Sequence, residues 1–461
     1  MISKRPPIVR ARFRLIAVLL LAGVLVALGI WQFYAPAGMR LACTYACRPT
    51  QFFSLPMFES CDAGFLLFDK EGVLHLFDWR TGAARWAVTP PRDWFNTPRT
   101  YSDIGSGLLF GPATSALSRN GRYLAVTFTR QQRLYAQTWC DGASTGMVQL
   151  PAAMFALITN THCATAMSNT GRLYLVSQRP RERTSRENTP YAAVIEAGRI
   201  IAHGPCPAEG TFFADYGLFN AWGYSGSTVY TVTLHAGQLR FTEKFRASES
   251  VLQPLSADLF RGNTGRMLFS SSGRMLVPDW ASNPMEDVGS AYKHDADGMC
   301  IYPGKGDTYR IFAPSGPHGW SVTPPTLTAK TPTAPPTNRI GEPSMLSVAD
   351  EYDNCTLSSS GEYALVVQEV MHPQTSPWAK LQGISSVGTY FNLYQRPGHL
   401  RARLYEPEVH HPTTSTYSNL QRDNFTATLS PDGHAMLCGP YVRIDTERGY
   451  TMSNDYKLYR W

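Results

Sequence analysis

The sequence predicts an all-β fold that repeats one unit of about fifty residues, and three observations lead to this prediction. A short turn rich in serine and glycine recurs along the chain. Each turn is followed by a run of β-branched, aliphatic and aromatic residues, which is typical of a strand. Beyond the N-terminal segment, no stretch shows the 3.6-residue apolar period of a long amphipathic helix.

The recurring turn carries glycine at its fourth position. Ser118-Arg119-Asn120-Gly121 and Ser430-Pro431-Asp432-Gly433 are clear examples, and the first is followed by the strand-like run from Tyr123 to Thr129. Glycine, and to a lesser degree Asn and Asp, accepts the positive φ of a tight hairpin turn at little steric cost. We therefore predict structural turns at seven glycines: Gly72, Gly121, Gly171, Gly226, Gly273, Gly361 and Gly433.

The spacing of these glycines sets the repeat length. Without Gly226, which has the weakest turn chemistry, the gaps are 49, 50, 102, 88 and 72 residues, and Gly226 divides the gap of 102. The glycines therefore mark seven units, and an eighth unit inside the gap of 88 is left open. Units of three or four antiparallel strands that shelter one another around an axis form a β-propeller. We predict an all-β propeller with seven or eight blades over residues 61–461, in which the β-prone C-terminus, residues 455–461, completes the first blade.

These turns resemble those of WD-repeat and Tol-system β-propellers, in which Ser-Pro-Asp-Gly joins the innermost strand of a blade to the next strand. Residues 430–433 match this motif fully, and the turns at Gly121, Gly171, Gly273 and Gly361 match it in part. The regular Gly-His and Trp-Asp signatures of WD repeats are absent. The resemblance implies the fold and a tendency to bind partners on one face, and it implies no particular activity.

The N-terminal segment is basic and then apolar. Residues 1–14 carry five of the seven net positive charges of the chain, and no charged residue follows until Arg40. Residues 15–34 are long enough, at about 1.5 Å per residue, to cross the hydrocarbon core as one transmembrane helix. The positive flank predicts a cytoplasmic tail at 1–14, an extracytoplasmic C-terminal part, and a juxtamembrane linker at 35–60. A cleaved signal peptide ending near Ala35-Pro36-Ala37 is the alternative.

Two segments interrupt the repeat. Residues 314–343 contain eight prolines and predict a long extended loop. Residues 372–386, rich in proline and serine, predict a second loop. A basic run at 179–186 is interleaved with glutamate and predicts a solvated hairpin loop, and outside residues 1–14 the chain is close to neutral, so we expect no nucleic-acid partner.

The cysteines indicate packing more than chemistry. The chain has nine cysteines and no Cys-x-x-Cys pair, so neither a zinc motif nor a redox motif is supported. Cys43, Cys47 and Cys61 lie between the apolar segment and the first unit, where a disulfide among them is an open alternative to free thiols.

No catalytic, cofactor-binding or metal-binding residue is predicted. Ser225 lies in a sequence close to the Gly-x-Ser-x-Gly elbow, but no helix follows it. The acidic segments 295–298 and 350–353 lack the further ligands of a calcium loop. His410 and His411 are adjacent, so on a regular strand they point to opposite faces and cannot share a metal.

These observations favour a non-enzymatic, single-pass cell-membrane protein whose extracytoplasmic propeller, periplasmic in a bacterium, binds a partner protein. The alternative is a ligand-binding or enzymatic propeller, of carbohydrate-active or quinone-cofactor type, with a site in its central funnel. Clustered charges at the funnel mouth would favour the alternative, and an apolar or aromatic patch on one face would favour the interaction scaffold.

Overall fold

The computed structural model of this protein describes residues 37–47, 59–96, 100–101, 109–110, 114–155, 163–177, 190–223, 226–247, 252–254, 259–262, 268–270, 275–276, 300–303, 309–312, 320–322, 355–358, 362–372, 384–396, 398–412, 426–441 and 454–461. Strands dominate these residues. In chain order they are β1 (Ala37–Gly38), β2 (Arg40–Cys47), β3 (Glu59–Ser60), β4 (Gly64–Phe68), β5 (Leu74–Asp78), β6 (Ala84–Val88), β7 (Thr100–Tyr101), β8 (Leu109–Phe110), β9 (Ser115–Leu117), β10 (Tyr123–Arg130), β11 (Arg133–Cys140), β12 (Ala143–Gln149), β13 (Cys163–Met167), β14 (Arg172–Ser177), β15 (Tyr191–Glu196), β16 (Arg199–Pro205), β17 (Gly210–Phe213), β18 (Leu218–Gly223), β19 (Gly226–His235), β20 (Gln238–Ala247), β21 (Leu252–Pro254), β22 (Leu259–Gly262), β23 (Leu268–Ser270), β24 (Met275–Leu276), β25 (Cys300–Pro303), β26 (Tyr309–Phe312), β27 (Trp320–Val322), β28 (Cys355–Leu357), β29 (Tyr363–His372), β30 (Ile384–Gln395), β31 (His399–Pro412), β32 (Thr426–Leu429), β33 (Ala435–Tyr441) and β34 (Asn454–Arg460).

Helices are short. Within the described residues they are α1 (Arg92–Asn96), α2 (Ala152–Phe155) and one 3₁₀ turn at Ala214–Tyr216. None of these helices is long and apolar enough to cross a membrane. The predicted transmembrane helix at 15–34 and the predicted tail at 1–14 lie outside the described residues.

The strands form antiparallel meanders that follow one another along the chain. We number them sheet 1 (β3–β6), sheet 2 (β9–β12), sheet 3 (β13–β16), sheet 4 (β17–β20), sheet 5 (β21–β24), sheet 6 (β25–β27), sheet 7 (β28–β31) and sheet 8 (β32–β34 with β2). One bridge between His203 and Gln238 joins the outer edges of sheets 3 and 4. The glycine spacing predicts seven units, and the additional described group, sheet 6, lies in the gap of 88 residues between Gly273 and Gly361.

The sheets are arranged around a common axis. The first strands of neighbouring sheets contact one another, as β9 does with β13, β13 with β17, and β28 with both β25 and β32. Apolar clusters fill the spaces between sheets 1 and 2, sheets 2 and 3, and sheets 3 and 4. The first and last sheets meet, because Phe65 and Leu67 of sheet 1 pack in one cluster with Leu437 and Leu458 of sheet 8. This arrangement is a β-propeller-like fold, as the sequence predicts.

Burial on both sides explains the sequence of the inner strands. In β10, Leu124 and Val126 pack against sheet 1, whereas the intervening Ala125 packs against sheet 3. Full burial of a leucine or valine side chain stabilises the fold by about 1.5–3 kcal/mol. The outer strand β12 is mostly exposed or half-buried, since no sheet covers its edge. In this fold, a continuous apolar run therefore marks an inner strand, whereas an alternating pattern of apolar and polar residues does not.

Residues 40–47 form strand β2 and complete sheet 8, whereas the sequence predicts that residues 35–60 form a linker. Strand β2 pairs with β34 from Arg40 opposite Arg460 to Cys47 opposite Asn454. The C-terminal strand thus lies third in sheet 8, where β2 is outermost, and it does not complete the first blade. Every second side chain of β2 towards its end, Cys43, Tyr45 and Cys47, packs into the cluster between sheets 8 and 1. This burial supplies the physical reason for a strand in place of a linker.

Candidate functional site: the two faces of the propeller

The two ends of the ring differ in their connections. One end, which we call the turn face, carries the connections from first to second strand and from third to fourth strand of each sheet. The other end, the loop face, carries the connections from second to third strand and those that lead to the next sheet. This division follows from the antiparallel strand order and gives each surface residue a place on one face.

Buried serines organise the turn face. Ser118 is fully buried, its Oγ accepts the Tyr123 N–H at 2.9 Å, and it donates to Asn120 Oδ1 at 2.8 Å. The Gly121 N–H donates to the Ser118 carbonyl at 2.9 Å. Three further serines open equivalent turns and accept a backbone N–H four or five residues later: Ser168, Ser358 and Ser430. The serine hydroxyl thus satisfies a buried donor that the strand ladder leaves unpaired.

The turn glycines are required for two reasons. Gly121, Gly171 and Gly433 have φ of +70°, +89° and +69°, in the left-handed region. A Cβ on Gly171 would lie 2.6 Å from Cε1 of Tyr123 in the preceding sheet, and a Cβ on Gly433 would overlap the ring of Tyr363. The glycine therefore supplies both the turn conformation and the space into which the neighbouring sheet packs.

A polar belt joins consecutive turns on this face. Asp62 of sheet 1 donates its N–H to the Arg119 carbonyl at 2.8 Å, and its carboxylate accepts Arg119 Nε at 2.9 Å. The Asn120 N–H and Nδ2 donate to Oδ1 and the carbonyl of Asn169 at 2.7 and 3.0 Å. The Asn169 N–H and Nδ2 in turn donate to the Asp215 carboxylate at 2.6 and 3.2 Å. These residues hold sheets 1 to 4 together, so their polar groups are occupied within the protein.

Not all predicted turns are equivalent. Gly72, with φ of +92°, joins β4 to β5, and Gly226 is the first residue of β19, so both lie between second and third strands on the loop face. Gly121, Gly171 and Gly433 lie between first and second strands. Predicted turns at Gly273 and Gly361 lie outside the described residues.

Other residues form the first-to-second turns of sheets 1 and 4. They are 61–64, closed by reciprocal hydrogen bonds between Cys61 and Gly64, and 214–217, which ends at Gly217 with φ of +61°. Sequence reasoning missed both because neither contains the Ser-x-x-Gly pattern. Each turn contains an aspartate, Asp62 or Asp215, that joins the polar belt, and this aspartate is the sequence feature that could have identified the turn.

One carboxylate lies on an innermost strand. Glu59 of β3 is half-buried, accepts the Leu117 N–H at 2.9 Å, and accepts the Ser115 hydroxyl. Removal from bulk water raises the pKa of Glu59, and these two hydrogen bonds oppose that rise. Thr165 of sheet 3 donates to the Ser115 carbonyl at 3.1 Å. The arrangement joins the first strands of sheets 1, 2 and 3 near the axis.

The loop face carries the long connections. On the turn face, no connection between described strands of one sheet exceeds five residues. Connections longer than five residues that begin and end on one face all lie on the loop face, among them 48–58, 89–114, 150–162, 178–190, 373–383, 413–425 and 442–453. The basic run at 179–186 and residues 373–383 of the loop predicted at 372–386 lie outside the described residues. The prolines at 314–343 lie outside the described residues, before and after β27.

Sheet 7 extends further than its neighbours on the loop face. Strands β30 and β31 have 12 and 14 residues, against 8 and 7 for the equivalent β11 and β12 of sheet 2. Their pairing continues to Ile384 opposite Pro412, and β29 pairs with β30 up to His372 opposite Ser386. The predicted loop at 372–386 is therefore shorter, because its ends join the ladder.

The cysteine thiols are packing groups. Seven cysteines are described with free thiols, including Cys43, Cys47 and Cys61, so the disulfide considered among these three is not formed in this structure. Burial raises the pKa of Cys163 and of Cys47 to about 12, and that of Cys61 to about 11. A buried thiol with a raised pKa carries little reactive thiolate at neutral pH.

The other candidate groups do not come together within the described chain. In that part of the protein, no group of three or more His, Cys, Asp or Glu side chains could hold a metal ion. His410 and His411 lie on β31, beyond the residues whose side chains are described. Ser225 and the acidic segments 295–298 and 350–353 lie outside the described residues.

Comparison with known proteins identifies no family. No protein-family model matches the chain, and no curated protein matches it. Among solved structures, the C-terminal WD40 domain of Sif2 is similar with 11% identity and a TM-score of 0.43, over 92% of this chain and 99% of that one. BamB from Moraxella catarrhalis (9% identity, TM-score 0.36) covers 92% of this chain and 98% of its own. The Myceliophteria thermophila Cps50 (Swd1) propeller domain (10%, 0.36) covers 92% of this chain and 99% of its own.

At these identities and TM-scores, the similar structures add nothing about activity, ligand or partner. The strand order and the apolar clusters between sheets define a β-propeller-like fold without reference to them.

Proposed function

We propose that this protein is an eight-bladed, membrane-anchored β-propeller on the extracytoplasmic side, that it binds a partner protein through its loop face, and that it is not an enzyme. The difference between the faces is the observation that carries this proposal. On the turn face, the first-to-second turns of sheets 1 to 4 are short and are hydrogen-bonded to one another, whereas the described strand ends that are separated by the longest stretches of sequence lie on the loop face. Binding residues are concentrated on loops that a rigid scaffold positions.

The projecting strands of sheet 7 support a protein partner in particular. The backbone ladder of β30 and β31 continues to Ile384 opposite Pro412, so it projects on the loop face beyond the shorter third strands of sheets 2 and 8. Such a surface suits a broad, shallow contact more than a small molecule, which prefers a concave pocket. The anchor and the side of the membrane rest on the sequence of residues 1–34.

Site-specific photocrosslinking in the native membrane tests the partner. A photoreactive amino acid replaces Gln132 on the loop face or, as a matched control, Ala236 on the turn face; both are exposed turn residues with positive φ. Mass spectrometry should identify a protein enriched at Gln132 over Ala236. Equal capture at both positions, or no neighbour above background at Gln132, would contradict the proposal.

Membrane association requires a separate measurement. The full chain should remain with the membrane after carbonate extraction and should float with vesicles on a density gradient. Release into the soluble fraction would show a cleaved segment or no anchor, without bearing on partner binding.

Glu59 is the observation that favours the alternative, a central-funnel site. A half-buried carboxylate with a raised pKa near the axis has the character of a functional group. Its hydrogen bonds to the next strand give it a structural role as well. Binding of a quinone cofactor or an oligosaccharide by the purified protein, weakened by Glu59→Gln, would favour this alternative over the scaffold.

A further inference from the structure

The N-terminal chain enters the propeller from the turn-face side. Strand β1 runs parallel to β31, with Ala37 opposite Ala402 and Gly38 opposite Arg403. Strand β31 starts at His399, directly after a third-to-fourth connection on the turn face, and runs towards the loop face. Ala37 therefore lies about three residues, or about 10 Å, from the turn face, and the N-terminal end of β1 points back towards that face.

The reach of the chain fixes which face can meet the membrane. Only residues 35 and 36 separate the predicted helix, which ends at Tyr34, from Ala37. Fully extended, the three steps from Tyr34 to Ala37 cover at most about 10 Å. Strand β10, with eight residues, gives the propeller a height of about 26 Å. A helix ending at Tyr34 therefore cannot reach the loop face.

The edge of the turn face carries exposed arginines. The outermost strands of four sheets begin with an exposed arginine within their first three residues, and we call these the rim arginines: Arg40, Arg199, Arg240 and Arg401. None of the four forms an ion pair within the described part of the chain. Two of them, Arg40 and Arg401, lie beside the point where the chain enters β1.

Four described carboxylates of this face have partners other than the rim arginines. Asp62 pairs with Arg119 at 2.9 Å, Asp141 pairs with Arg122 at 2.8 Å, and Glu362 lies 3.8 Å from Arg396. Asp215 is occupied by Asn169. Exposed arginines close to an anionic lipid surface are attracted to it, and this attraction decays within about 10 Å.

We propose that the turn face lies against the membrane, with the rim arginines on anionic phospholipid headgroups, and that the loop face is directed away from the bilayer. This inference rests on the proposed anchor and extends it, because an anchor alone leaves the propeller free to tilt. It also explains why the turn face has only short connections, since a face apposed to lipid has no room for long loops.

Energy transfer to the membrane surface tests the orientation in the full chain. A dye is attached through a genetically encoded azide, which leaves the native thiols unlabelled, at exposed turn-face sites (Ala197, Ala236) or loop-face sites (Lys70, Gln132). The protein is reconstituted in phosphatidylcholine vesicles with or without phosphatidylglycerol, which contain an acceptor on the lipid headgroups. Energy transfer should be stronger from both turn-face sites than from both loop-face sites, because the two faces are separated by about 26 Å, the length of β10.

A charge-reversal variant separates the anchor from the lipid contact. With all four rim arginines changed to glutamate, turn-face transfer in phosphatidylglycerol vesicles should fall to or below its value in pure phosphatidylcholine. The matched control changes Lys70 and Arg133, exposed on the loop face, to glutamate, and it should leave transfer unchanged. Circular dichroism confirms that both variants are folded.

The outcomes distinguish this inference from the proposed anchor. Failure of the protein to float with vesicles overturns both. Flotation with equal transfer from the two faces, or with stronger transfer from the loop face, overturns the orientation alone. If energy transfer is the same in the charge-reversal variant as in the wild type, the proposed role of the rim arginines is overturned.

Discussion

Gly433 offers a quantitative test of how neighbouring sheets pack. Its φ of +69° and the ring of Tyr363 both exclude a side chain, so Gly433→Ala incurs two costs. An alanine in the left-handed region costs about 1–2 kcal/mol. Forcing a methyl group into a packed contact costs about a further 1–3 kcal/mol. We expect Gly433→Ala to lower the free energy of unfolding by about 2–5 kcal/mol.

Gly237 is the matched control. It has a similar φ of +76°, but a Cβ at this position would have no heavy atom within 4 Å. Gly237→Ala should therefore cost only the backbone term of about 1–2 kcal/mol. The difference between the two variants isolates the contact between sheets 7 and 8.

Urea unfolding followed by circular dichroism in detergent measures both variants. The double variant Gly433→Ala with Tyr363→Ala should destabilise by less than the sum of the two single variants, because the methyl group then enters the space that the ring leaves. Equal losses for Gly433→Ala and Gly237→Ala, or additive losses in the double variant, would refute the packing argument.

Three further predictions concern the turns and the axis. Ser118→Ala leaves the buried Tyr123 N–H without its acceptor and should lower the free energy of unfolding in urea by about 1–3 kcal/mol. Ser118→Thr, which keeps the hydroxyl, should lower it by less. Equal losses for the two variants would argue against the hydrogen bond. Asn169→Ala removes hydrogen bonds to two neighbouring turns, so its loss in the free energy of unfolding should not add to that of Ser118→Ala. It should add to the loss caused by the distant Ser430→Ala. Additive losses with both variants would show that the polar belt carries no coupling. The raised pKa of Glu59 means that the folded state holds this proton more tightly than the unfolded state, so its stabilising contribution is present below about pH 4.5 and lost as the pH rises through the raised pKa. Glu59→Gln should therefore gain stability relative to wild type as the pH rises above about 4.5, and a pH-independent difference in urea midpoints would contradict the raised pKa.

Local turn chemistry was predictable, but the equivalence of the turns was not. The pattern around Gly121 and Gly433 fixes a tight turn, because positive φ and a serine acceptor are properties of a few adjacent residues. The same chemistry marks Gly72, which lies in a different hairpin of its sheet. A turn motif identifies a hairpin and does not say which two strands it joins, so glycine spacing alone gave seven units.

Contacts between sheets were outside the reach of sequence reasoning. Asn120 and Asn169 are ordinary turn residues in the sequence, and their partnership depends on the angle between two sheets. Glu59 begins the two-residue strand β3, and nothing local indicates that its carboxylate meets Leu117. Both sites became visible only when residues 49 and 58 positions apart in the sequence were brought side by side in neighbouring sheets.

The sequence by itself determined the strands, the tight turns and the repeat, because each depends on the conformational preferences of neighbouring residues. Tertiary structure decided how the ring closes, with β2 beside β34 although almost the whole chain separates them. It also decided which connections share a face, because that follows from the order of strands around the axis. Burial between sheets selects one such arrangement from many that satisfy the local rules, and no local pattern encodes that choice.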